Sequence, residues 1–259
     1  MHLIFIRHGD PDYANNTVTE KGRKEAELLA KRIAKWNVTD FYVSPYGRAA
    51  DTLEPALKLT GRTAQTMDWL REFDVNVIDP VSKNKKSVFW DILPKDYYGE
   101  KKYSRIDSWL KTKMAKSGKV KERYRQLCSG LDQVLCSYDY TRKEKDIPLY
   151  NCYPHLTKEE ALTDTHLNPF QKNLDEKNIV FVCHLGSMFA CISHLTGISP
   201  VQLWQSFFVA PSSVTVLGAQ ERIPGEVNFR IQQLGDVSHL TENNESSSAS
   251  GFFGNVINL

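Results

Sequence analysis

The sequence predicts an α/β protein with a three-layer, doubly wound, mostly parallel sheet and an inserted helical cap. Short apolar segments alternate with amphipathic helical patterns from residue 3 to residue 61, a rhythm typical of parallel strands joined by right-handed crossovers. The rhythm resumes at residue 178, after a long stretch rich in Lys, Tyr and Asp. We therefore expect a single domain over 1–241, with the cap at about 75–178 and a tail at 242–259.

The first half of the sheet is predicted from four successive elements. Residues 3–6 form a continuous apolar run, which suits a strand buried on both faces. Apolar residues at three- and four-residue spacing then predict a helix with Thr19 as its N-cap. A strand at 41–43 and a helix at 48–59 follow, and Gly61 is a typical residue for the helix C-terminus.

The cap and the second half of the sheet follow in order. Helical patterns are expected near 104–116 and 119–137 within the cap. The apolar run at 178–183 predicts a buried strand, which leads through a turn of small residues into a helix ending near Gly197. Two segments, 213–217 and 227–232, are predicted to close the sheet as a hairpin.

The tail joins a linker-like composition, ENNESSSASG, to an apolar end, FFGNVINL. We expect the serine-rich part to act as a tether. The apolar residues Phe252, Phe253, Val256 and Ile257 are expected to be buried against this chain or a neighbouring one, so a homo-oligomer is possible.

Composition excludes several classes of function. The 33 basic and 31 acidic residues nearly cancel, so no long-range attraction to nucleic acid or to an anionic membrane is expected. No apolar run approaches the ~18 residues of a membrane span, and the apolar start is too short for a signal peptide. Five cysteines without a CxxC pair favour neither a disulfide framework nor a zinc site. We expect a cytoplasmic protein that needs no metal or other cofactor.

Polar side chains follow the predicted strands where each strand ends. Arg7 and His8 come directly after the first strand, His184 follows the strand at 178–183, and Arg48 lies just beyond the strand at 41–43. Taken singly, each has an ordinary structural explanation. Because ligands of open α/β sheets bind beyond the carboxyl ends of the strands, these side chains are expected to converge on one crevice.

The chemistry of this group suits a phosphoryl compound. Arginine donates in bidentate fashion to phosphate, and a neutral imidazole can act as a nucleophile. The departing alcohol needs a proton, which a carboxyl group can supply. Glu72 is the first candidate for this acid and Asp74 the second, while Asp10 and Asp12 are weaker alternatives.

Six segments of the chain resemble the histidine phosphatase (phosphoglycerate mutase-like) superfamily. They are IFIRHGDPDY, VTEKGRKEAELLAKRI, FYVSPYGRAADTLEPAL, LREFD, IVFVCHLGSM and LGDVSHL. The resemblance implies a phosphoglycerate mutase-like fold, a phosphohistidine on His8 and a phosphate clamp of Arg7 and Arg48. It also implies that His184 serves in both catalysis and phosphate binding, and that Glu72 is the proton donor.

The segment after His8 favours the phosphatase branch, because it lacks the serine and the Trp-Asn pair usual in the mutase branch. Asn15 or Asn16 is a further candidate for phosphate contact. The sequence therefore predicts a phosphatase acting on a small phosphorylated substrate. A phosphoglycerate mutase-type phosphoryl transfer and a non-catalytic phospho-ligand binding protein are the alternatives.

The cap is rich in basic residues, which we interpret mainly as a solvated helix face. The alternative is an electropositive rim that favours polyanionic substrates. These residues are Lys95, Lys101, Lys102, Arg105, Lys111, Lys113, Lys116, Lys119, Lys121, Arg123 and Arg125.

Overall fold

The structure, a computed structural model, describes residues 1–86, 88–144, 147–154 and 177–257. Its strands are β1 (His2–Arg7), β2 (Pro11–Asp12), β3 (Thr17–Val18), β4 (Asp40–Val43), β5 (Gln65–Thr66), β6 (Val77–Ile78), β7 (Lys85–Lys86), β8 (Thr141–Glu144), β9 (Ile147–Asn151), β10 (Asn178–Cys183), β11 (Val214–Ile223) and β12 (Glu226–Asp236). Its α-helices are α1 (Glu20–Ile33), α2 (Gly47–Thr60), α3 (Pro94–Gly99), α4 (Lys113–Lys116), α5 (Val120–Cys136), α6 (Leu185–Thr196), α7 (Pro200–Ser206) and α8 (Ser238–Thr241). None of these helices is long and apolar enough to cross a membrane.

Eight strands form one mixed sheet in the order β5-β4-β10-β1-β11-β12-β9-β8. The pairs from β5 to β1 are parallel, and the pairs from β1 to β8 are antiparallel. The α/β class and the closing hairpin of β11 and β12 are confirmed. Arg7 is level with Cys183, and Val182 is level with Val43. The carboxyl ends of β1, β10 and β4 therefore meet at one edge of the sheet.

The central strands are apolar on both faces because helices cover both faces. Leu3 and Phe5 point into one core, together with residues of α5 and α6. Ile4 and Ile6 point into the other core, together with residues of α1 and α2. This alternation along β1 explains why the strand is a continuous apolar run.

Helix boundaries follow the local chemistry that the sequence indicates. Thr19 caps α1, and its hydroxyl accepts a hydrogen bond from the amide of Gly22 at 3.1 Å. Gly61 and Gly197 end α2 and α6 in the left-handed conformation, with φ of 65° and 77°. These three predictions are confirmed.

The insertion is less helical than expected. Helix α5 occupies the predicted 119–137, but the stretch at 104–116 consists of short turns, with 3₁₀ helices at Lys101–Ser104 and Trp109–Lys111 before α4. The hydroxyl of Ser108 donates to the carbonyl of Lys102 at 3.2 Å, a side-chain bond to the backbone that competes with helical hydrogen bonds in this stretch.

Part of the expected cap belongs to the main sheet. Strands β8 and β9 extend it beyond β12, so residues 141–144 and 147–151 belong to strands and not to a cap helix. Tyr150 is fully buried, and its ring meets Phe229 of β12 edge-on at 5.4 Å. The rest of the predicted cap at 155–176 lies outside the described residues.

Cys128, Cys136, Cys183 and Cys191 are free thiols. Cys183 and Cys191 are completely buried. Burial raises the pKa of the Cys183 thiol to about 12, so this sulfur next to His184 is protonated and a poor nucleophile.

Candidate active site

Four predicted site residues converge at the carboxyl edge of the parallel strands. Arg7 and His8 leave β1, His184 leaves β10, and Arg48 lies in the first turn of α2. All four are buried, and the imidazole rings of His8 and His184 are 5.1 Å apart between centroids. The convergence that was expected from their positions at the strand ends is therefore present in the structure.

The surroundings of His8 define which ring nitrogen is free. Its Nδ1 lies 2.8 Å from the carbonyl oxygen of Gly9, which can only accept, so Nδ1 carries the proton. The lone pair is then on Nε2. Burial and the neighbouring charge of Arg7 hold the pKa of His8 well below its usual value. His8 is thus a neutral imidazole with a free nitrogen at neutral pH.

His184 has the opposite tautomer. Its Nε2 lies 2.7 Å from the hydroxyl of Ser44, and that hydroxyl already accepts a hydrogen bond from the amide of Tyr46 at 3.3 Å. Among the described residues, Nε2 is the only acceptor within reach of the Ser44 hydroxyl, so we assign the Ser44 proton to this bond and the ring proton of His184 to Nδ1. Burial and the adjacent His8 lower the pKa of His184 well below its usual value. His184 is a neutral N–H donor.

The two arginines are anchored through their terminal nitrogens. Arg7 donates from Nη1 to the carbonyl of Val209 at 2.7 Å and from Nη2 to the carbonyl of Ser250 at 2.8 Å. Arg48 donates from Nη1 to Oδ1 of Asn16 at 3.2 Å. The guanidinium of Arg48 also lies 4.8 Å from the centre of the Tyr46 ring.

Three buried N–H groups of the cluster have no acceptor within the described part of the chain. They are Nε of Arg7, Nε of Arg48 and Nδ1 of His184. An unsatisfied buried donor costs about 1–3 kcal/mol, so three at one place indicate a ligand that accepts hydrogen bonds. Two of the donors are cationic, and the fitting ligand is an anion with several oxygens.

Glu72 reaches the same crevice from the segment after the 3₁₀ helix at Asp68–Leu70. Its Oε1 accepts the amide protons of Phe73 at 2.6 Å and of Ser187 at 3.1 Å. Burial raises the pKa of the Glu72 carboxyl, although the Phe73 amide and the charge of Arg48 act in the opposite direction. A carboxyl group in this setting keeps its proton to a higher pH and can donate it.

Gly186 makes this approach of Glu72 possible. A Cβ atom at Gly186 would lie 2.5 Å from Oε1 of Glu72 and 2.7 Å from Nε1 of Trp90. Both distances are too short for real atoms. Only glycine at this turn lets the carboxyl group and the indole come so close to the start of α6.

Arg123 belongs to this site and not to the solvated face predicted for the basic residues of the cap. It is buried, and its Nη2 donates to the carbonyls of Trp69 at 2.9 Å and Arg71 at 2.6 Å. The other cap lysines and arginines named above are exposed. Arg123 thus fixes the backbone just before Glu72.

The rival carboxylates are placed differently from Glu72. Asp74 is exposed and accepts a hydrogen bond from the hydroxyl of Tyr46. Asp10 accepts the hydroxyl proton of Thr19 at 2.7 Å, and Asp12 accepts the side-chain amide of Asn15. Each of these carboxylates already accepts a hydrogen bond in the loops around the crevice.

Of the two candidate asparagines, the structure brings Asn16 to the cluster and not Asn15. Asn15 is exposed, and its side-chain amide donates to Asp12 at 2.7 Å. Asn16 accepts from Arg48 and has a φ of 51°, a left-handed conformation that asparagine tolerates. Of the two candidates for phosphate contact, Asn16 is therefore the one beside Arg48. The local sequence, with two adjacent asparagines, carries no signal that separates them.

Glu25 is a buried carboxyl group beneath the loop that follows His8. It is fully buried, its Oε2 accepts the amide proton of Asp10 at 2.8 Å, and its Oε1 has no partner among the described residues. Burial raises the pKa of Glu25 from 4.5 to about 7. Protonation therefore favours the native state at this position.

We expect Glu25→Gln to remove a pH-dependent loss of stability. Between pH 4.5 and about 7 the native state holds a proton that the unfolded chain releases, so the free energy of unfolding falls as pH rises. The fall from this group amounts to about 3 kcal/mol. Urea unfolding of both proteins from pH 4.5 to 8 measures it, and the variant should lose less stability. If the free energies of unfolding of the two proteins differ by the same amount at every pH, the raised pKa assigned to Glu25 is contradicted.

Comparison with known proteins gives both a family and a fold. The model of the histidine phosphatase superfamily (branch 1) matches residues 3–131. A mycobacterial glucosyl-3-phosphoglycerate phosphatase in complex with VO3 is 15% identical, with a TM-score of 0.55 over 90% of this chain and 98% of that chain. A mutant phosphoserine phosphatase from Entamoeba histolytica in complex with phosphoserine is 18% identical, with a TM-score of 0.52 over 92% and 98%. No match was found among curated proteins.

At these identities the solved structures establish the fold, which is phosphoglycerate mutase-like. The family match covers the segment that contains Arg7, His8, Arg48 and Glu72. Together with the sheet order and the converging side chains, it identifies the chain. The protein is a member of the histidine phosphatase superfamily, branch 1.

Proposed function

We propose that this protein is a phosphatase that hydrolyses phosphate monoesters through a phosphohistidine intermediate on His8. The observation that carries the proposal is the set of three unpaired, buried N–H donors beside a neutral imidazole with a free Nε2. The donors of Arg7, Arg48 and His184 match the several oxygens of a phosphoryl group. The free nitrogen supplies the nucleophile.

In the first step, Nε2 of His8 forms a bond to phosphorus while the bond from phosphorus to the ester oxygen breaks. Arg7 and Arg48 neutralise charge on the phosphoryl oxygens, and His184 donates a hydrogen bond to one of them. Glu72 gives its proton to the departing oxygen, so that an alcohol leaves and not an alkoxide. Its Oε1 is occupied by two main-chain amides, and the proton is therefore carried by Oε2.

In the second step, water attacks the phosphohistidine. The Glu72 carboxylate left by the first step takes a proton from that water as the new bond to phosphorus forms. The phosphorus–nitrogen bond breaks, which returns the lone pair to Nε2 of His8 and releases inorganic phosphate. Glu72 is then protonated again, and the cycle is closed.

The substrate that we propose is a small phosphate monoester. Two structural neighbours are a glucosyl-3-phosphoglycerate phosphatase and a phosphoserine phosphatase, both named for small phosphorylated molecules. We also propose a reducing, cytoplasmic compartment, since Cys128, Cys136, Cys183 and Cys191 are free thiols.

The experiment is a trap for the intermediate. Purified protein is mixed with a 32P-labelled monoester in the presence of EDTA, quenched without acid and digested. We expect a base-stable, acid-labile label on the peptide that contains His8. EDTA is included because the described residues contain no cluster of three or more metal-ligating side chains. Label on serine or cysteine, or turnover that requires added metal, would contradict the proposal.

The same assay separates the alternatives. A mutase would pass the label to a second phosphorylated molecule such as 3-phosphoglycerate faster than to water. A non-catalytic binding protein would bind inorganic phosphate and give neither label nor turnover. Release of inorganic phosphate as the main product, through a labelled His8, is the result expected here.

A further inference from the structure

The C-terminal segment 245–252, which we name the strap, lies along α1 and ends at the candidate active site. Glu245 forms ion pairs with Lys21 and Lys24 of α1. The carbonyl of Ser246 accepts a hydrogen bond from Nζ of Lys21 at 2.6 Å. These contacts fix the start of the strap on the helix that follows the His8 loop.

The middle of the strap is held by the loop next to the nucleophile. The hydroxyl of Ser248 donates to Oδ1 of Asp10, two residues after His8. Ser248 is buried, and its oxygen also accepts the amide proton of Ser250 at 3.1 Å. The strap therefore makes a turn at this point that directs the Ser250 carbonyl inward.

The end of the strap contacts Arg7 itself. The carbonyl of Ser250 accepts from Nη2 of Arg7 at 2.8 Å. The ring of Phe252 packs against Phe208 at 4.8 Å between centroids, and Phe208 lies 5.9 Å from the Arg7 guanidinium. A main-chain oxygen and an aromatic pair thus surround one side of the arginine.

This arrangement reverses the expectation for the tail. The serine-rich part is docked on this chain by hydrogen bonds, whereas Phe253 and Ile257 are 101% and 75% exposed and Phe252 is 45% exposed. The prediction that the apolar end is buried on this chain is wrong for Phe253 and Ile257. Burial on a neighbouring chain stays a prediction.

We propose that the strap is a positioning element of the phosphate site and that it acts through Arg7. The inference rests on the function proposed above. Arg7 has five N–H bonds, and the carbonyls of Val209 and Ser250 each take one from a different terminal nitrogen. Two fixed points define the plane of the guanidinium and keep its unpaired Nε in the crevice. Without the strap, one of these points is lost and the arginine gains rotamers.

The test compares two truncations. The first ends the chain at Asn244 and removes the strap. The second ends it at Phe252, removes residues 253–259 beyond the strap and serves as the matched control. Calorimetry measures the affinity of the full-length protein and of each truncation for inorganic phosphate. Each protein is measured once with Arg7 intact and once with the Arg7→Ala substitution. A melting curve for each variant shows that it is folded. Ser248→Ala is the milder variant, because it removes the hydrogen bonds of the Ser248 hydroxyl to Asp10 and to the Ser250 amide but keeps the rest of the strap.

We expect removal of the strap to weaken phosphate binding by about tenfold or more when Arg7 is present, the effect of losing a hydrogen bond to a charged group. The loss should be less than about twofold in the Arg7→Ala background, because the strap acts through that residue. Truncation at Phe252 should leave the affinity for phosphate unchanged. The affinity of Ser248→Ala should lie between those of the two truncated proteins. For Ser248→Ala, enzyme assays should show a higher KM and a lower kcat, and the melting temperature should be unchanged.

Three results would overturn the proposal. If phosphate binds equally well without the strap, the strap does not position Arg7. Tighter binding without it would make the Ser250 carbonyl a competitor of phosphate. An equal loss with and without Arg7 would mean a general structural effect. If the full-length protein does not bind phosphate at all, the function proposed above fails, and the two failures are thereby distinguished.

Discussion

Replacing His8 by alanine is expected to reduce turnover by on the order of 10⁴-fold or more, because the residue forms the covalent bond to phosphorus. The variant should still bind inorganic phosphate, since the donors of Arg7, Arg48 and His184 remain. Steady-state kinetics with an aryl phosphate and calorimetry with phosphate measure the two quantities. Removal of a buried imidazole of neutral charge leaves no unpaired ion, so the fold should persist.

His2→Ala is the matched control for His8→Ala. His2 begins the same strand at the end remote from the site, where its ring contacts Asn178. Turnover by this variant should be nearly that of the unmodified protein. If the His8 variant keeps comparable turnover, the nucleophile is another residue, and His184 is the first to examine.

Replacing Glu72 by glutamine is expected to slow esters of poor leaving groups by about 10²- to 10⁴-fold. The amide cannot supply a proton, so the loss should grow with the pKa of the departing alcohol and be small for nitrophenolate. In the unmodified protein, burial raises the pKa of Glu72. Activity toward poor leaving groups should therefore fall as pH rises through that pKa, and the fall should be absent in Glu72→Gln.

Asp74→Asn is the control for Glu72→Gln. The Asp74 carboxylate is exposed and accepts a hydrogen bond from Tyr46, so its replacement should reduce all rates by a similar, small factor. Rates for an alkyl phosphate and for nitrophenyl phosphate, measured on both variants, separate the two residues. If Glu72→Gln reduces the rate equally for both substrates, Glu72 only positions other groups. Asp74 would then be the candidate for the acid.

The elements that were predicted well are those whose signal is local. The run at 3–6, the cap by Thr19 and the glycine at 61 each reflect backbone chemistry within a few residues. The strands β8 and β9 carry no such signal. They form because the edge of β12 pairs with β9, which in turn pairs with β8, and because the ring of Phe229 packs on Tyr150; both are tertiary effects.

The site shows the same division. His8 and His184 could be predicted to converge because parallel strands end at one edge of the sheet, and the end of each apolar run can be located in the sequence. The asparagine that accepts the hydrogen bond of Arg48 could not be predicted from the sequence. Asn15 and Asn16 are adjacent and chemically identical, and only the path of the loop decides which of them faces the arginine.

The sequence alone determined the fold class, the family and the residue types at the candidate site, because periodicity, caps and strand-end motifs are local properties. Only the tertiary structure decided the ring tautomers, the contact of Gly186 with Glu72, the burial of Arg123 and the docking of the strap on Arg7. These features join residues that are distant along the chain. They depend on which donor meets which acceptor once the core is packed, and no local pattern records that choice.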